Sequence, residues 1–356
     1  MQETLSSILN VMSSRNKVNN KKLIILGQEI LPGKNYELNL SVAKLHTSTP
    51  IQIPIVVERA KEDGPTVVLM AGMHGDEING IEIIRRIIRK KLHKPTKGTV
   101  ICIPIFNIFG FLNLKRELPD GRDLNRSFPG SSNGSLASQF AFQFMKEIAP
   151  IADVIIDFHT GSAQRNNYAQ IRCDFDDARS VELAKVFNPP IILDSTLIPK
   201  TIREAIQRIG KQYLLFEGGK TNSIEENIVE EGINGAKLIL NYFGMRSFKI
   251  DISLGRTPVF MEQSKWLRAP NSGLFLAQIK NGSPVKKGDL LGIVMDPFGK
   301  IERKIKATKD GFEHRKEEEC LAGTETPRDG GSAGNWRDIL YSEKDAIDPN
   351  SRQCNY

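Results

Sequence analysis

The sequence has few cysteines and no long apolar run. Its 356 residues include only four cysteines, with no C-x-x-C spacing among them: Cys102, Cys173, Cys320 and Cys354. This distribution indicates neither a disulfide framework nor a zinc ribbon. No apolar run approaches the ~18 residues that a transmembrane helix requires. The N-terminus lacks a basic segment followed by an apolar stretch, so we expect no signal peptide and a cytoplasmic protein.

Two signatures of nucleotide or nucleic-acid binding are also missing. The Gly-rich residues 217–219 (EGG) lack the G-x-x-x-x-G-K-[ST] spacing of a phosphate-binding loop. The net charge is +7, but the densest basic cluster, residues 85–94, lies on a predicted helix with an apolar stripe and no interleaved aromatic residue. We therefore predict a solvated helix face and expect neither nucleic acid nor a membrane as a partner. The positive field would instead attract small anions.

Three short polar segments each follow an apolar run. The polar segments are residues 72–77 (GMHGDE), 157–160 (DFHT) and 216–219 (FEGG), after the apolar runs 66–70, 154–156 and 213–215. If the three runs are strands of one parallel sheet, all of these polar residues lie at the carboxyl ends of the strands. Open α/β sheets build their ligand sites at that edge, so we expect the three segments to meet there.

The residue types in these segments suit a catalytic metal ion. Zn²⁺ accepts imidazole nitrogen and carboxylate oxygen, and His74, Glu77 and His159 would leave a fourth position for water. His74 and Glu77 are three residues apart, so they can meet if a helix begins near Asp76. Glu217 would then be free to act as general base. Taken alone, the first pair also fits a turn histidine with a first-turn glutamate, and His159 also fits a hydrogen-bonded core residue.

A fourth segment, residues 116–130 (RELPDGRDLNRSFPG), is rich in turn formers and concentrates arginine and asparagine. In a loop that faces the site, the guanidinium forks of arginine would suit carboxylates and oxyanions. The alternative interpretation is a solvated turn in which Asp123 caps its neighbours.

Four motifs in this order resemble the succinylglutamate desuccinylase/aspartoacylase family of the zinc carboxypeptidase superfamily. The motifs are residues 72–77 (GMHGDE), 123–130 (DLNRSFPG), 157–161 (DFHTG) and 216–219 (FEGG), and the resemblance extends over about residues 21–312. It implies one zinc ion per chain, with His74, Glu77 and His159 as the metal ligands and Glu217 as the general base.

The resemblance also implies roles for the loop that contains the second motif. Asn125 and Arg126 would hold a free carboxylate of the substrate, and Arg116 would stabilise the oxyanion. Arg122 lies close enough in the sequence to compete with Arg116 for that role.

The order of predicted elements indicates the fold class. Periodicity predicts strands over residues 36–42, 51–57 and 98–104 and helices over 77–91, 136–148, 178–187, 200–209 and 223–242. This alternation predicts an α/β fold, a mainly parallel mixed sheet with helices on both faces. Short β-like runs follow Met245 and resemble the family's small C-terminal β domain.

We therefore divide the chain into a loosely ordered N-terminus (1–20), a zinc hydrolase domain (21–245), a small β domain (246–312) and a tail (313–356). The tail departs from the family pattern, because charged residues and a Gly-rich stretch stand where a closing strand is expected. We expect this tail to be disordered. The small domain would then be incomplete and would expose a strand edge.

The predicted function is zinc-dependent hydrolysis of the amide of an N-acyl amino acid or a similar small, anionic acylated amine. Two other functions stay open. A metallocarboxypeptidase would cleave peptide bonds with the same groups, and a degenerate homologue would bind a ligand without catalysis. The sequence is also compatible with a homo-oligomer.

Overall fold

The computed structural model describes residues 22–44, 47–162, 165–249, 256–268, 270–271, 273–317 and 338–343. The segment predicted to be a loosely ordered N-terminus, residues 1–20, lies outside the described residues. Within the described ranges, no helix combines the length and the apolar character needed to span a membrane.

Most of the helices lie where the periodicity predicts them. The described α-helices are α1 (Ile78–Arg89), α2 (Ile108–Asn113), α3 (Leu136–Glu147), α4 (Ala178–Phe187), α5 (Ile202–Arg208) and α6 (Glu226–Tyr242). Only α2 was not predicted. Short 3₁₀ helices cover Leu124–Arg126 and Ala149–Ile151. Side chains cap four of the α-helix starts: Asn107, Ser135, Asp177 and Thr201 accept backbone N–H bonds at the beginning of α2, α3, α4 and α5.

The strands form one large sheet and two small ones. They are β1 (Ile24–Ile25), β2 (Gln28–Glu29), β3 (Asn35–Lys44), β4 (Pro50–Arg59), β5 (Glu62–Ala71), β6 (Lys97–Ile103), β7 (Val154–Gly161), β8 (Arg165–Cys173), β9 (Ile191–Asp194), β10 (Gln212–Lys220), β11 (Val259–Met261), β12 (Ser264–Arg268), β13 (Leu274–Ala277), β14 (Pro284–Val285), β15 (Leu290–Met295), β16 (Glu302–Lys306), β17 (Gly311–Glu317) and β18 (Asp338–Glu343). β1 pairs with β2, and β13, β15 and β16 form a three-stranded sheet.

The centre of the large sheet is parallel. Strands β10, β7, β5 and β6 lie side by side in that order and run in the same direction. β4 and β3 extend one side in antiparallel pairs, and β8 pairs antiparallel with β10 on the other side. Helices α3 and α5 pack into the hydrophobic core on one face of this sheet, and α1, α4 and α6 pack on the opposite face. The predicted fold class is therefore confirmed.

The parallel centre brings the predicted strand ends together. β5 ends at Ala71, β7 at Gly161 and β10 at Lys220, all at one edge of the sheet. The register of β7 and β10 sets Glu217 directly beside His159. Every residue of β7 is buried, so the histidine at its carboxyl end is carried by a strand that is packed on both faces.

Part of the segment predicted to be disordered, residues 313–356, forms strands. β17 pairs with β14, β18 and the start of β8, and β18 also pairs with β12. Residues 313–317 and 338–343 are therefore in strands, because backbone pairing in a sheet does not require apolar side chains. The small β region packs around its own apolar cluster, which includes Phe275, Leu291 and Val294. The other residues of the predicted tail, 318–337 and 344–356, lie outside the described residues.

Candidate active site

Three potential metal ligands meet at the carboxyl edge of the sheet. His74 follows β5, Glu77 immediately precedes α1, and His159 lies near the end of β7. One ligand atom from each residue lies within 4.8 Å of those of the other two. All three side chains are buried, with 2–4% of the residue surface exposed. The tight turn that carries His74 depends on Gly75, because a Cβ at this position would lie 1.7 Å from the backbone carbon of Gly110.

The two ring nitrogens of His74 have different partners. Nε2 lies 3.1 Å from Oδ1 of Asp123, and Nδ1 lies 3.1 Å from Nη1 of Arg116. An ionised carboxylate only accepts, so Nε2 donates to Asp123. Nδ1 also lies 2.7 Å from Oε1 of Glu77, so this nitrogen faces a guanidinium and a carboxylate together.

His159 is oriented in the same way by a different carboxylate. Its Nε2 lies 2.9 Å from Oδ2 of Asp157, so this nitrogen donates. Its Nδ1 faces the other oxygen of Glu77, Oε2, at 3.0 Å. The backbone N–H of Thr160 also donates to Oε2 at 3.0 Å, which fixes the Glu77 carboxylate between the two imidazoles.

The electrostatics of this cluster favour a positive charge at its centre. Burial raises the pKa of Glu77, but His74 and His159 outweigh burial and hold this pKa well below its usual value. Burial lowers the pKa of His159, but Asp157 and Glu77 outweigh it and raise this pKa well above its usual value. The Nδ1 atoms of two imidazoles and the Glu77 carboxylate therefore surround one point, where protons on the imidazoles balance the carboxylate and a divalent cation would replace these protons. This donor set fits a divalent metal ion, and nitrogen and oxygen donors of this kind suit zinc.

Glu217 lies in the same cleft and is held by two neighbours on β8. Asn167 donates from Nδ2 to Oε2 of Glu217, and Nε of Arg172 lies 3.5 Å from Oε1. The Glu217 side chain keeps 15% of its surface exposed, so a small molecule in the cleft can reach the carboxylate. Since Glu217 and His159 are adjacent in the parallel register, this free carboxylate stands beside the candidate ligands.

Arg116, and not Arg122, lines the cleft. Nη2 of Arg116 donates to Oδ2 of Asp123 at 2.8 Å, and Nη1 lies 3.3 Å from Oε1 of Glu77. Arg122 is exposed and pairs with Asp120. Burial disfavours the charged form of Arg116, but Glu77 and Asp123 outweigh burial and raise its pKa, so the guanidinium stays charged in the cleft.

Asn125 and Arg126 lie on the 3₁₀ helix Leu124–Arg126 and line the same cleft. Oδ1 of Asn125 accepts the backbone N–H of Ile202 at 3.0 Å, at the beginning of α5. Arg126 is exposed and donates to the backbone oxygen of Asn125 at 2.7 Å. No ion pair joins Arg126 to a carboxylate in the described part of the chain, so its guanidinium is available to an anion.

The cleft brings all of these predicted residues together in a cavity of about 180 Å³. Its lining residues are His74, Glu77, Arg116, Asn125, Arg126, His159, Thr160, Ser162, Arg172, Ser195, Ile198, Thr201, Arg203, Tyr213, Leu215 and Glu217. Four arginines and only two carboxylates line it, so the cleft suits an anionic ligand.

A family model matches the part of the chain that contains the cleft. The model of the succinylglutamate desuccinylase/aspartoacylase catalytic domain matches residues 63–243, which include every residue that lines the cleft. The chain belongs to this family. The family resemblance that the motifs indicate is thus confirmed.

Known members of the succinylglutamate desuccinylase/aspartoacylase family are similar in sequence or fold. The N-alpha-acetyl-L-2,4-diaminobutyric acid deacetylase of Halomonas elongata is 29% identical over 281 residues, 73% of this chain and 80% of that protein. A succinylglutamate desuccinylase/aspartoacylase from Rhodobacter sphaeroides superposes with a TM-score of 0.73 at 23% identity, covering 87% of this chain and 96% of that one.

A product-bound ectoine utilization protein from Ruegeria pomeroyi superposes equally well. The TM-score is 0.74 at 23% identity, and the alignment covers 91% of this chain and 98% of that one. At such identities the two structures support the fold. The family match and the curated relative identify the chain as a relative of deacylating hydrolases.

Sequence reasoning missed several residues that support the predicted ones. Asn167 and Arg172 hold Glu217, and Tyr213 contacts Asp157. The missed strand is β8, whose run RNNYAQIRC alternates poorly and carries two arginines. The alternation of apolar and polar residues is weak in β8 because this strand lies between the buried parallel centre of the sheet and its antiparallel edge. Asp123 and Asp157 also support the predicted residues, since each contacts one of the two histidines.

Proposed function

We propose that this chain is a zinc-dependent deacylase that hydrolyses the amide of an N-acyl amino acid or a similar small acylated amine. The observation that carries the proposal is the convergence of two imidazole nitrogens and a carboxylate beside the separate carboxylate of Glu217. The membership of a family of deacylating hydrolases supports the same reaction class.

His74, Glu77 and His159 would hold the metal ion. A divalent metal at such a site supplies Lewis acidity toward the amide carbonyl and the attacking water. Asp123 and Asp157 would keep the Nδ1 atoms of the two histidines directed at the metal, since each accepts the Nε2 proton.

Glu217 acts as the general base. Its carboxylate takes a proton from the attacking water and delivers it to the nitrogen of the leaving amine. Asn167 donates a hydrogen bond to one oxygen of this carboxylate, and Arg172 forms an ion pair with the other. These contacts fix the orientation of the base, so fewer unproductive orientations of its carboxylate compete with the reactive one.

Arg116 stabilises the negative charge that develops on the carbonyl oxygen. It lines the cleft, stays charged, and approaches the ligand cluster through Glu77 and His74. A fixed guanidinium at this position favours the tetrahedral state over the planar amide, because the charge on oxygen is greater there.

Asn125 and Arg126 bind the free carboxylate of the substrate. The carbonyl of Asn125 is occupied by the N–H of Ile202, so its amide NH₂ is the group left to donate. Arg126 adds a charged donor with no carboxylate partner in the described residues. The small volume of the cleft favours a small acylated amine over a long peptide.

The test is a substrate screen with the purified, zinc-loaded protein. N-acetyl and N-succinyl amino acids are incubated with the enzyme, and the free amine is measured. Release of amine from at least one N-acyl amino acid is the expected result. Cleavage of peptides without deacylation would favour the carboxypeptidase alternative. Stoichiometric zinc without turnover of either class would favour a non-catalytic binding protein.

Substitution of Arg126 tests the recognition of the carboxylate. We expect Arg126→Ala to lower kcat/KM for an N-acyl amino acid by about 10- to 100-fold, the scale of a hydrogen bond to a charged group. Arg126→Lys should lose less, because it keeps the charge but not the planar fork. The matching carboxamide substrate should be poor for the parent and insensitive to both changes.

Arg122→Ala provides the matched control, because Arg122 lies in the same loop but pairs with Asp120 outside the cleft. It should leave kcat/KM unchanged for both substrates. Equal losses by the Arg126 variants on the acid and on the carboxamide would mean that Arg126 does not contact the carboxylate.

A further inference from the structure

Tyr213 lines the cleft that holds the candidate metal ligands, and its hydroxyl contacts Asp157. The residue is on β10 and is 4% exposed. Its hydroxyl donates to Oδ2 of Asp157 at 2.5 Å. None of the family motifs in the sequence includes Tyr213, which stands four residues before Glu217.

All the hydrogen bonds of the Asp157 side chain converge on one oxygen. Oδ2 accepts both the Tyr213 hydroxyl and Nε2 of His159, while Oδ1 is buried with no hydrogen-bond partner among the described residues. Asp157 itself is 0% exposed. A buried carboxylate is costly unless its bonds compensate, so each of these two bonds matters to its orientation.

Asp123, the carboxylate that contacts His74, accepts more hydrogen bonds than Asp157 does. Asp123 accepts two bonds from Arg116 and the backbone N–H of Asn125, in addition to its contact with His74. Three donor groups thus fix Asp123, whereas among the described residues a single donor besides His159 fixes Asp157. That donor is Tyr213.

We infer that Tyr213 is a positioning residue for the metal site, acting through Asp157 on His159. The Tyr213 hydroxyl holds Oδ2 of Asp157 beside Nε2 of His159, which keeps Nδ1 of His159 on the side of the ring that faces Glu77. Without the hydroxyl the carboxylate is free to rotate, and the imidazole follows it. Outer partners of this kind set ligand orientation and basicity. This inference rests on the proposed metal-dependent function.

The test is Tyr213→Phe, which removes only the hydroxyl. We expect zinc affinity, measured by competition with a chelator, to fall about 10- to 100-fold, the usual effect of losing an outer partner of a ligand. The visible absorption spectrum of the cobalt-substituted protein should also change, because the position of His159 in the coordination sphere changes. In a protein that already carries Asp157→Asn, Tyr213→Phe should lower the zinc affinity much less.

Tyr242→Phe is the matched control, because the Tyr242 hydroxyl donates to Glu182 on the protein surface. It should alter neither zinc affinity nor the cobalt spectrum. If Tyr213→Phe binds zinc as tightly as the parent with an unchanged cobalt spectrum, or if its loss adds fully to that of Asp157→Asn, the inference is wrong. A parent protein that binds no zinc would contradict the proposed function as well, whereas a zinc-binding parent without deacylase activity would leave the role of Tyr213 intact.

Discussion

Replacing Glu217 by glutamine is expected to lower kcat by at least ~10², the scale of general acid–base catalysis. Glutamine has the same shape and can still accept from Asn167 through its side-chain oxygen, so the fold and the zinc content should persist. It cannot take a proton from water, so the step that needs a base is lost. The measurement is steady-state kinetics on the best N-acyl amino acid, with zinc content and melting temperature recorded in parallel.

Glu230→Gln is the control for this prediction. Glu230 is on α6, where it approaches Arg86 and Lys90 away from the cleft. Its substitution should leave kcat unchanged. A Glu217→Gln variant that turns over as fast as the parent would remove Glu217 as the base. Asp123 and Asp157 would be poor replacements, because both are bonded to the histidines.

The candidate site was largely predictable from the sequence because its central residues lie in local motifs at strand ends. An apolar run followed by a polar segment fixes both the strand and the edge at which its last residues lie. His74, Glu77, His159 and Glu217 all come from such segments and meet as expected. Periodicity was equally informative for the helices, because each buries one apolar stripe against the sheet.

The hydrogen bonds that hold the site residues in place were not predictable in the same way, because they join residues that are far apart in the sequence. Asn167 bonds Glu217 across 50 positions, and Tyr213 bonds Asp157 across 56. Neither pairing leaves a local pattern, since both depend on which strands become neighbours. The order β8–β10–β7 creates them, and that order places β8 on the opposite side of β10 from its chain neighbour β7.

For a related reason, the sequence alone could not decide whether Arg116 or Arg122 faces the site. The two residues stand six positions apart in one loop of turn formers, where periodicity gives no direction. The contacts of Asp123 decide the matter, because this carboxylate binds Arg116 and His74 together. Arg116 is thereby drawn toward the ligand cluster, and Arg122 is left on the surface.

The zinc content of histidine variants provides the second large expected effect. The parent protein is expected to contain about one zinc per chain, from a site with three protein ligands. His74→Ala or His159→Ala leaves only two of these donors, and the metal content should fall below roughly one tenth, because affinity depends steeply on the number of ligands. Elemental analysis after dialysis against a weak chelator measures this directly.

His93→Gln is the control, since His93 is also buried but approaches Glu58 outside the cleft. It should retain the zinc of the parent even if it melts at a lower temperature. The comparison separates loss of a ligand from general destabilisation, because all three variants remove a buried imidazole. Full zinc retention in both His74→Ala and His159→Ala would mean that the metal is held elsewhere, and Glu77 would then stand between two histidines for structural reasons alone.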